Sequence, residues 1–431
     1  MIQEVLMKRL FLISLLLLCA GIQPAWAEEI HHAGFKRILE NFIEQSRSNN
    51  PALKEAQHKI QIHEEIPAQH SAWKDPMLTI GLVNLPVDTF SFREQPMTQK
   101  QIQLSQEIPF PGKMDLRARA AEEDINIARW NYKELELSIV RQVKESFFEL
   151  CFINSAIETT EQNKALLKQF ITIAESKYSV GKGIQQDVLK AQVEFSKILD
   201  ELIELRQYKA HEEAKLNILM NRLPQERIDI PHGLIQTEFK FSIGQLQEMA
   251  IKNRPYLHSI QTVIEKFRLT REIAEKEYYP NFQLGIRYGQ RQDSPMQDRS
   301  DFVSGFVGVN IPIWFASKQR RKVAEENYRI ETARDSYQVA KNDVFLKIKI
   351  LTDKVDKGQK LIGLIQNGII PQARQSLESA LVAYSVDKID FLTLIDNQVT
   401  LLKWKIKSHR ELTDYEQNLA AIEHVVGQSL F

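Results

Sequence analysis

Phe282-Gln283-Leu284-Gly285-Ile286-Arg287-Tyr288-Gly289 alternates with a period of two. Leu284 and Ile286 point one way, while Gln283, Arg287 and both glycines point the other, as in a strand with one dry and one wet face. Three more segments do the same. Leu78-Thr79-Ile80-Gly81-Leu82 sets apolar residues against small ones, and Gln101-Ile102-Gln103-Leu104-Ser105 sets Ile and Leu against polar residues. In the fourth, Val303, Val307, Val309 and Ile311 oppose Ser304, Gly308 and Asn310, with Phe306 as an exception on the polar side. Each alternating stretch runs about 9 to 11 residues, the length a tilted strand needs to cross a bilayer. A small antiparallel sheet packed on helices would also alternate.

The surrounding chain repeats itself. Asn50-Pro51-Ala52-Leu53 in one half matches Asn253-Arg254-Pro255-Tyr256-Leu257 in the other. The second strand of each half ends in Ile-Pro, at Ile108-Pro109 and Ile311-Pro312, 311 − 108 = 203 residues apart. A long helix-compatible stretch follows each and ends in a matching turn. These turns are Tyr178-Ser179-Val180-Gly181 and Tyr384-Ser385-Val386-Asp387, 384 − 178 = 206 residues apart. Such self-similarity fixes the architecture. The reading is a mainly α chain with a small β part, built from a duplicated helix-strand-strand-helix-helix unit. The first repeat covers residues 28–222, with strands at about 77–107; the second covers 244–431, with strands at about 281–311. A linker at 223–243, rich in Pro and Gly (Pro224, Pro231, Gly233), separates them.

The long helices carry near-heptad apolar stripes. Val140, Val143, Phe147, Leu150 and Ile157, interrupted by Asn154, form one; Val188, Ala191, Phe195, Ile198, Leu202 and Leu205 form another. In the second half the counterparts are Val344, Ile348, Leu351 and Val355, and Leu392, Ile395, Val399, Leu402 and Ile406. Stripes of this kind call for partner helices along their length. A 65-residue helix would reach ~100 Å. The helices alone fit a coiled-coil rod equally well; the strands distinguish rod from channel.

The N-terminus supports export. Lys8 and Arg9 precede the apolar run Leu10 to Ala20, and Ala25-Trp26-Ala27 offers a small-residue cleavage site, so 1–27 reads as a signal peptide. Translation from Met1 or from Met7 fits equally. Leu18 is too bulky to precede a lipidated Cys19. Cys151 then remains as a single cysteine, which forms no internal disulfide. The 56 basic and 56 acidic residues balance, which gives no reason to expect nucleic acid. No later apolar run approaches 18 residues, so a span of the membrane must use strands. Strand edges are not tolerated in hydrocarbon, so several chains must pool four strands each into a closed barrel. Pooling gives 8, 12 or 16 strands from two, three or four chains, and ~8 strands would be plugged by their own side chains.

The chain resembles the TolC-like outer-membrane efflux channels. The most specific stretches are the turn Tyr178 to Gln192, the turn Ala383 to Asp396, Ile370-Pro371-Gln372-Ala373 and Ile108-Pro109-Phe110-Pro111-Gly112-Lys113. The loop Asn84-Leu85-Pro86-Val87-Asp88-Thr89-Phe90-Ser91-Phe92 is similar to the branch serving heavy-metal efflux. The resemblance implies a homotrimer with a 12-strand β-barrel in outer-membrane lipid and a long coiled-coil α-barrel through the periplasm. It also implies docking to a periplasmic adaptor and an inner-membrane transporter, with the RND type favoured. The expected role is a passive exit duct; a periplasmic coiled-coil adaptor or scaffold with a small β-domain is the competing reading.

The resemblance places the gate at the tips: Tyr178, Gly181, Asp187, Tyr384, Asp387, Thr393 and Asp396. It sets Asp187 against Tyr384 and puts Asp396 in an acidic ring that would favour cations. Thr393 stands where the family has a second ring aspartate, and Ile389 where it has an arginine. Plainer roles compete: Tyr178 and Tyr384 as packing residues, Gly181 as a left-handed C-cap, Asp187 and Asp390 as helix-start carboxylates. Pro371, at whose equivalent position in the first repeat Ala165 stands, should kink only the second repeat's helix. Leu284 and Ile286 are the expected lipid-facing strand positions. His58, His63, Glu64, Glu65 and His70 lack metal-ligand spacing, because Pro67 interrupts the helix and ~140° separates His58 from His63. No catalytic motif is found, so no enzyme and no cofactor is expected.

Overall fold

The structure, a computed structural model, describes residues 25–431 except 231 and 232, with side chains from residue 34 onward. The signal peptide read at 1–27 thus lies, up to residue 24, outside the described residues. The helices are α1 (Ala25–Asn49), α2 (Pro51–Glu64), α3 (Ile66–Ser71), α4 (Lys113–Ser179), α5 (Gln185–Leu219), α6 (Ile243–Asn253), α7 (Pro255–Lys276), α8 (Gln319–Leu364), α9 (Ile370–Ser385) and α10 (Phe391–Val426). The strands are β1 (Met77–Val83), β2 (Gln99–Ile108), β3 (Phe282–Arg291) and β4 (Phe302–Val309). β1 and β4, at 7 and 8 residues, are shorter than the sequence pattern suggested. Ile311 falls outside β4.

The chain divides into two compact units. One takes the described residues up to Leu53 with Leu135–Asn253 and Val344–Phe431; the other takes Lys54–Glu134 and Arg254–Asp343. α4 and α8 contribute to both, and each unit draws on both halves of the chain. No described helix is long and apolar enough to cross a membrane.

The helical unit is held by apolar burial along its length. Phe147 is fully buried, with Phe35 and Phe42 edge-on at 5.0 and 6.0 Å. Truncating it to Ala would cost about 3–5 kcal/mol. Asn50 starts α2, its side-chain oxygen accepting from the Ala52 N–H at 2.9 Å ahead of a first-turn proline. Val143, Phe147, Leu150, Ala191, Ile198, Leu202, Val344, Ile348 and Val355 are buried on the expected stripes. On α10 the phase differs. Leu392 and Val399 are 49% and 45% exposed, whereas Leu394, Gln398, Leu401, Ser408 and Leu412 are buried. Ile395 of the expected stripe is buried too, so α10 is apolar on two faces and the stripe is buried only in part. Second apolar faces also occur on α5 and α8, where Leu189, Val193, Ile203, Val339, Leu346 and Ile350 are exposed.

The other unit contains the sheet, in the order β1-β2-β3-β4, antiparallel throughout, leaving β1 and β4 as edges. The segment Ile108 to Lys113 fastens strand to helix. Gly112 adopts φ +85°, and the Lys113 amine donates to the Asn281 side chain at 2.8 Å and the Tyr279 carbonyl at 2.9 Å. Phe110 stacks on Tyr279 at 4.5 Å.

Candidate functional site

Register sorts the sheet into two chemically distinct faces. Leu78, Leu104, Ile286 and Gly305 align across the four strands, as do Ile80, Ile102, Tyr288 and Val303. Leu284 and Ile286 lie on this apolar face, 44% and 55% exposed, beside Val303 and Val307, each 70% exposed. An apolar surface this continuous marks a contact with lipid or protein.

The opposite face is polar. Thr79, Gln103, Arg287 and Ser304 form its central row. Arg287 donates from Nε and Nη2 to the Gln103 side-chain oxygen Oε1 at 3.1 and 2.8 Å. Phe306, the exception in the alternation, is cross-strand partner to Gly285, and its ring fills the space a Cβ on Gly285 would need, 2.1 Å away. An aromatic laid over a cross-strand glycine is a recurrent way to seal a sheet.

The turns between α4 and α5 and between α9 and α10 share one backbone design. Gly181 has φ +74° and Asp387 φ +62°. In each, the left-handed residue bonds back to the tyrosine carbonyl, Gly181 to Tyr178 at 3.0 Å and Asp387 to Tyr384 at 3.2 Å. The next residue closes the wider bond, Lys182 to Lys177 and Lys388 to Ala383, both at 2.9 Å. This is the Schellman pattern. Glycine meets the left-handed demand without strain; Asp387 does so as one of the few other tolerant types.

Side chains break the symmetry. Tyr384 is 5% exposed, in a cluster with Phe391, Leu394, Ala174 and Leu202, whereas Tyr178 is 48% exposed. Asp390 caps α10, accepting from the Thr393 N–H at 2.8 Å. At the equivalent place on α5, Ile184 offers no cap, and Asp187 lies one turn inward. Burial and the nearby Asp390 charge push the Asp187 carboxyl up, opposed by Lys177. Burial, then the charges of Asp187 and Asp387, raises the Tyr384 hydroxyl. Among the described residues no hydrogen bond joins Asp187 to Tyr384; Asp187 acts on it through charge. Thr393 and Asp396 are exposed on α10.

Lys177 was not singled out from the sequence. Its amine donates to the Tyr384 carbonyl and the Asp387 carboxylate and lies 4.2 Å over the Tyr384 ring. Pro371 sits in the first turn of α9, directly after a π-helical turn at Ile365–Ile369. The proline supplies no N–H and its ring crowds the carbonyl four residues back, so a wider turn there spares the helix that clash. α4 runs uninterrupted.

Residues 42–222 match the family described as outer membrane efflux protein. The cobalt-zinc-cadmium resistance protein CzcC of Cupriavidus metallidurans is 19% identical over 327 residues, 76% of each chain. The toxin and drug export protein A of Aggregatibacter actinomycetemcomitans is 24% identical over 247 residues, 54% of this chain and 53% of that one. Among solved structures, the outer membrane protein VceC of Vibrio cholerae superposes with a TM-score of 0.77 at 16% identity, covering 91% of this chain and 98% of its own. CusC gives 0.76 at 14%, covering 91% and 92%.

Proposed function

From the premise that this chain is an outer-membrane efflux protein with the TolC-like channel fold, we propose that it is one third of a passive exit duct. In this reading three chains join β1 of one to β4 of the next in a closed 12-strand barrel. The sheet supports it: an exposed apolar face suits lipid, a polar face suits water, and two unpaired edges have no place in hydrocarbon. The duplicated repeats at 28–222 and 244–431 would then give each chain two strand pairs and two tip turns. The second apolar faces of α5, α8 and α10 become contacts between neighbouring chains in the α-barrel.

The tips act as the gate. Tyr178, Gly181, Asp187, Tyr384, Asp387, Thr393 and Asp396 cluster in and beside the two turns, where a periplasmic adaptor and an inner-membrane transporter of the RND type would engage. Asp396, exposed on α10, would form a three-fold acidic ring. The π-turn before Pro371 gives the second repeat's helix a place to bend that the first lacks. The cargo would be metal ions or small toxic compounds, the first supported by the name of CzcC and the loop Asn84 to Phe92, the second by the name of the toxin and drug export protein A.

The observation that carries the reading is the two-faced, open-edged sheet. Purified protein in detergent should insert into a planar bilayer and carry current, and in cells the protein should sediment with outer membranes. A detergent-free soluble protein that carries no current would instead suit a periplasmic scaffold.

A further inference from the structure

We propose that Arg287 makes the β-section of the duct an anion-favouring collar, selecting small anions over cations at mid-sheet. The inference rests on the duct reading, in which the polar face lines water. Arg287 is the sixth of ten residues in β3, and its row partners Thr79, Gln103 and Ser304 carry no charge. Along the polar side of the strand the Phe306 ring lies over Gly285 and the Gln99 side chain over Gly289, so neither position adds a charge beside the guanidinium.

The charge is fixed and uncompensated. A guanidinium stays protonated at any working pH. Its two hydrogen bonds end on the neutral side-chain amide of Gln103, and the Phe306 ring lies 5.8 Å from the guanidinium carbon. Two carboxylates at the ends of the sheet are engaged elsewhere. Glu107 pairs with Lys74 at 2.8 Å, and Asp301 serves the Tyr288 hydroxyl and the Arg291 N–H. Gln103 and Phe306 therefore hold a cation in place without neutralising it. Repeated around a closed barrel, it becomes a ring of fixed positive charge, the arrangement that favours anions in pores. The duct reading also gives the channel an acidic ring at Asp396, so the shift on mutation, not the absolute selectivity, reports on the collar.

The test is the reversal potential of the full-length protein in planar bilayers under a KCl gradient, kept near 0.1 M so that screening does not hide the ring. Arg287→Gln should lower the chloride-to-potassium permeability ratio at least about twofold. Arg287→Lys should keep it. Gln103→Glu leaves the arginine in place but sets a carboxylate against it, and should shift the ratio in the same direction as Arg287→Gln. It therefore decides the matter even if Arg287→Gln fails to assemble. Current with a ratio unchanged in Gln103→Glu and in any assembled Arg287→Gln overturns the collar alone. A wild-type protein that carries no current overturns the duct reading and the collar with it.

Discussion

Lys177 and Asp387, 210 residues apart in sequence, form an ion pair that ties the end of α4 to the turn after α9. The same amine caps the Tyr384 carbonyl. One side chain thus links the two tip turns of a chain.

Lys177→Met, which keeps the apolar stem but removes the donors, should loosen the tips. Single-channel recordings should show open time rising at least about twofold, a modest population shift. The Lys177 hydrogen bond, then its charge, holds the Asp387 carboxyl below its usual range. A lowered carboxyl lends stability above its ordinary titration range and loses it as pH falls through the lowered value, so acidification should open wild type toward the behaviour of Lys177→Met. Identical open times in mutant and wild type at neutral pH would remove Lys177 from the gate.

Glu416 is 5% exposed and accepts from the Thr237 N–H at 2.7 Å and the Thr237 hydroxyl at 2.9 Å. Burial pushes its carboxyl to about 7, with Thr237 and Lys144 opposing and Glu423 adding to the rise. The folded state therefore holds this proton more tightly than the unfolded chain, and stability falls as pH rises from about 4.5 through about 7. Glu416→Gln should match wild type at pH 4 and exceed it at pH 8 by as much as about 3 kcal/mol in chemical unfolding. Parallel stability curves for the two proteins would contradict this.

Leu284→Arg and Ile286→Arg place a charge on the apolar face near mid-strand. Each should cost about 2–4 kcal/mol of membrane insertion and deplete the protein from outer-membrane fractions. The same change at Ser304, on the polar face, should be tolerated.

Pro371→Ala restores a backbone donor after the π-turn and lets the helix close normally. Efflux through the complete pump should fall about twofold or more if bending there assists opening. Unchanged efflux and conductance would show that the turn serves folding only.

The sheet was legible because its strands alternate cleanly, and the tips because Gly181 and Asp387 recur in the same frame. What escaped depended on pairing between distant segments. Phe306 looked misplaced until register set it opposite Gly285, and the register of β3 against β4 is not written in either strand alone. Tyr178 and Tyr384 look equivalent in sequence, yet only Tyr384 is roofed by Phe391, 5.4 Å away. On α10, two apolar faces compete, and periodicity cannot say which one meets its own chain. Lys177 gave no sign because a lysine in a helix's last turn is ordinary.

Cysteine cross-linking between the sheet's edges tests the barrel most directly. Thr79→Cys in β1 would be combined in turn with a cysteine at 302, 304, 306 or 308 in β4, all on the polar face, with Cys151 buried and out of reach. Closure by neighbouring chains predicts that at least one pair yields covalent dimers and trimers, with nothing larger, in native outer membranes. Monomers alone across the whole scan would contradict it.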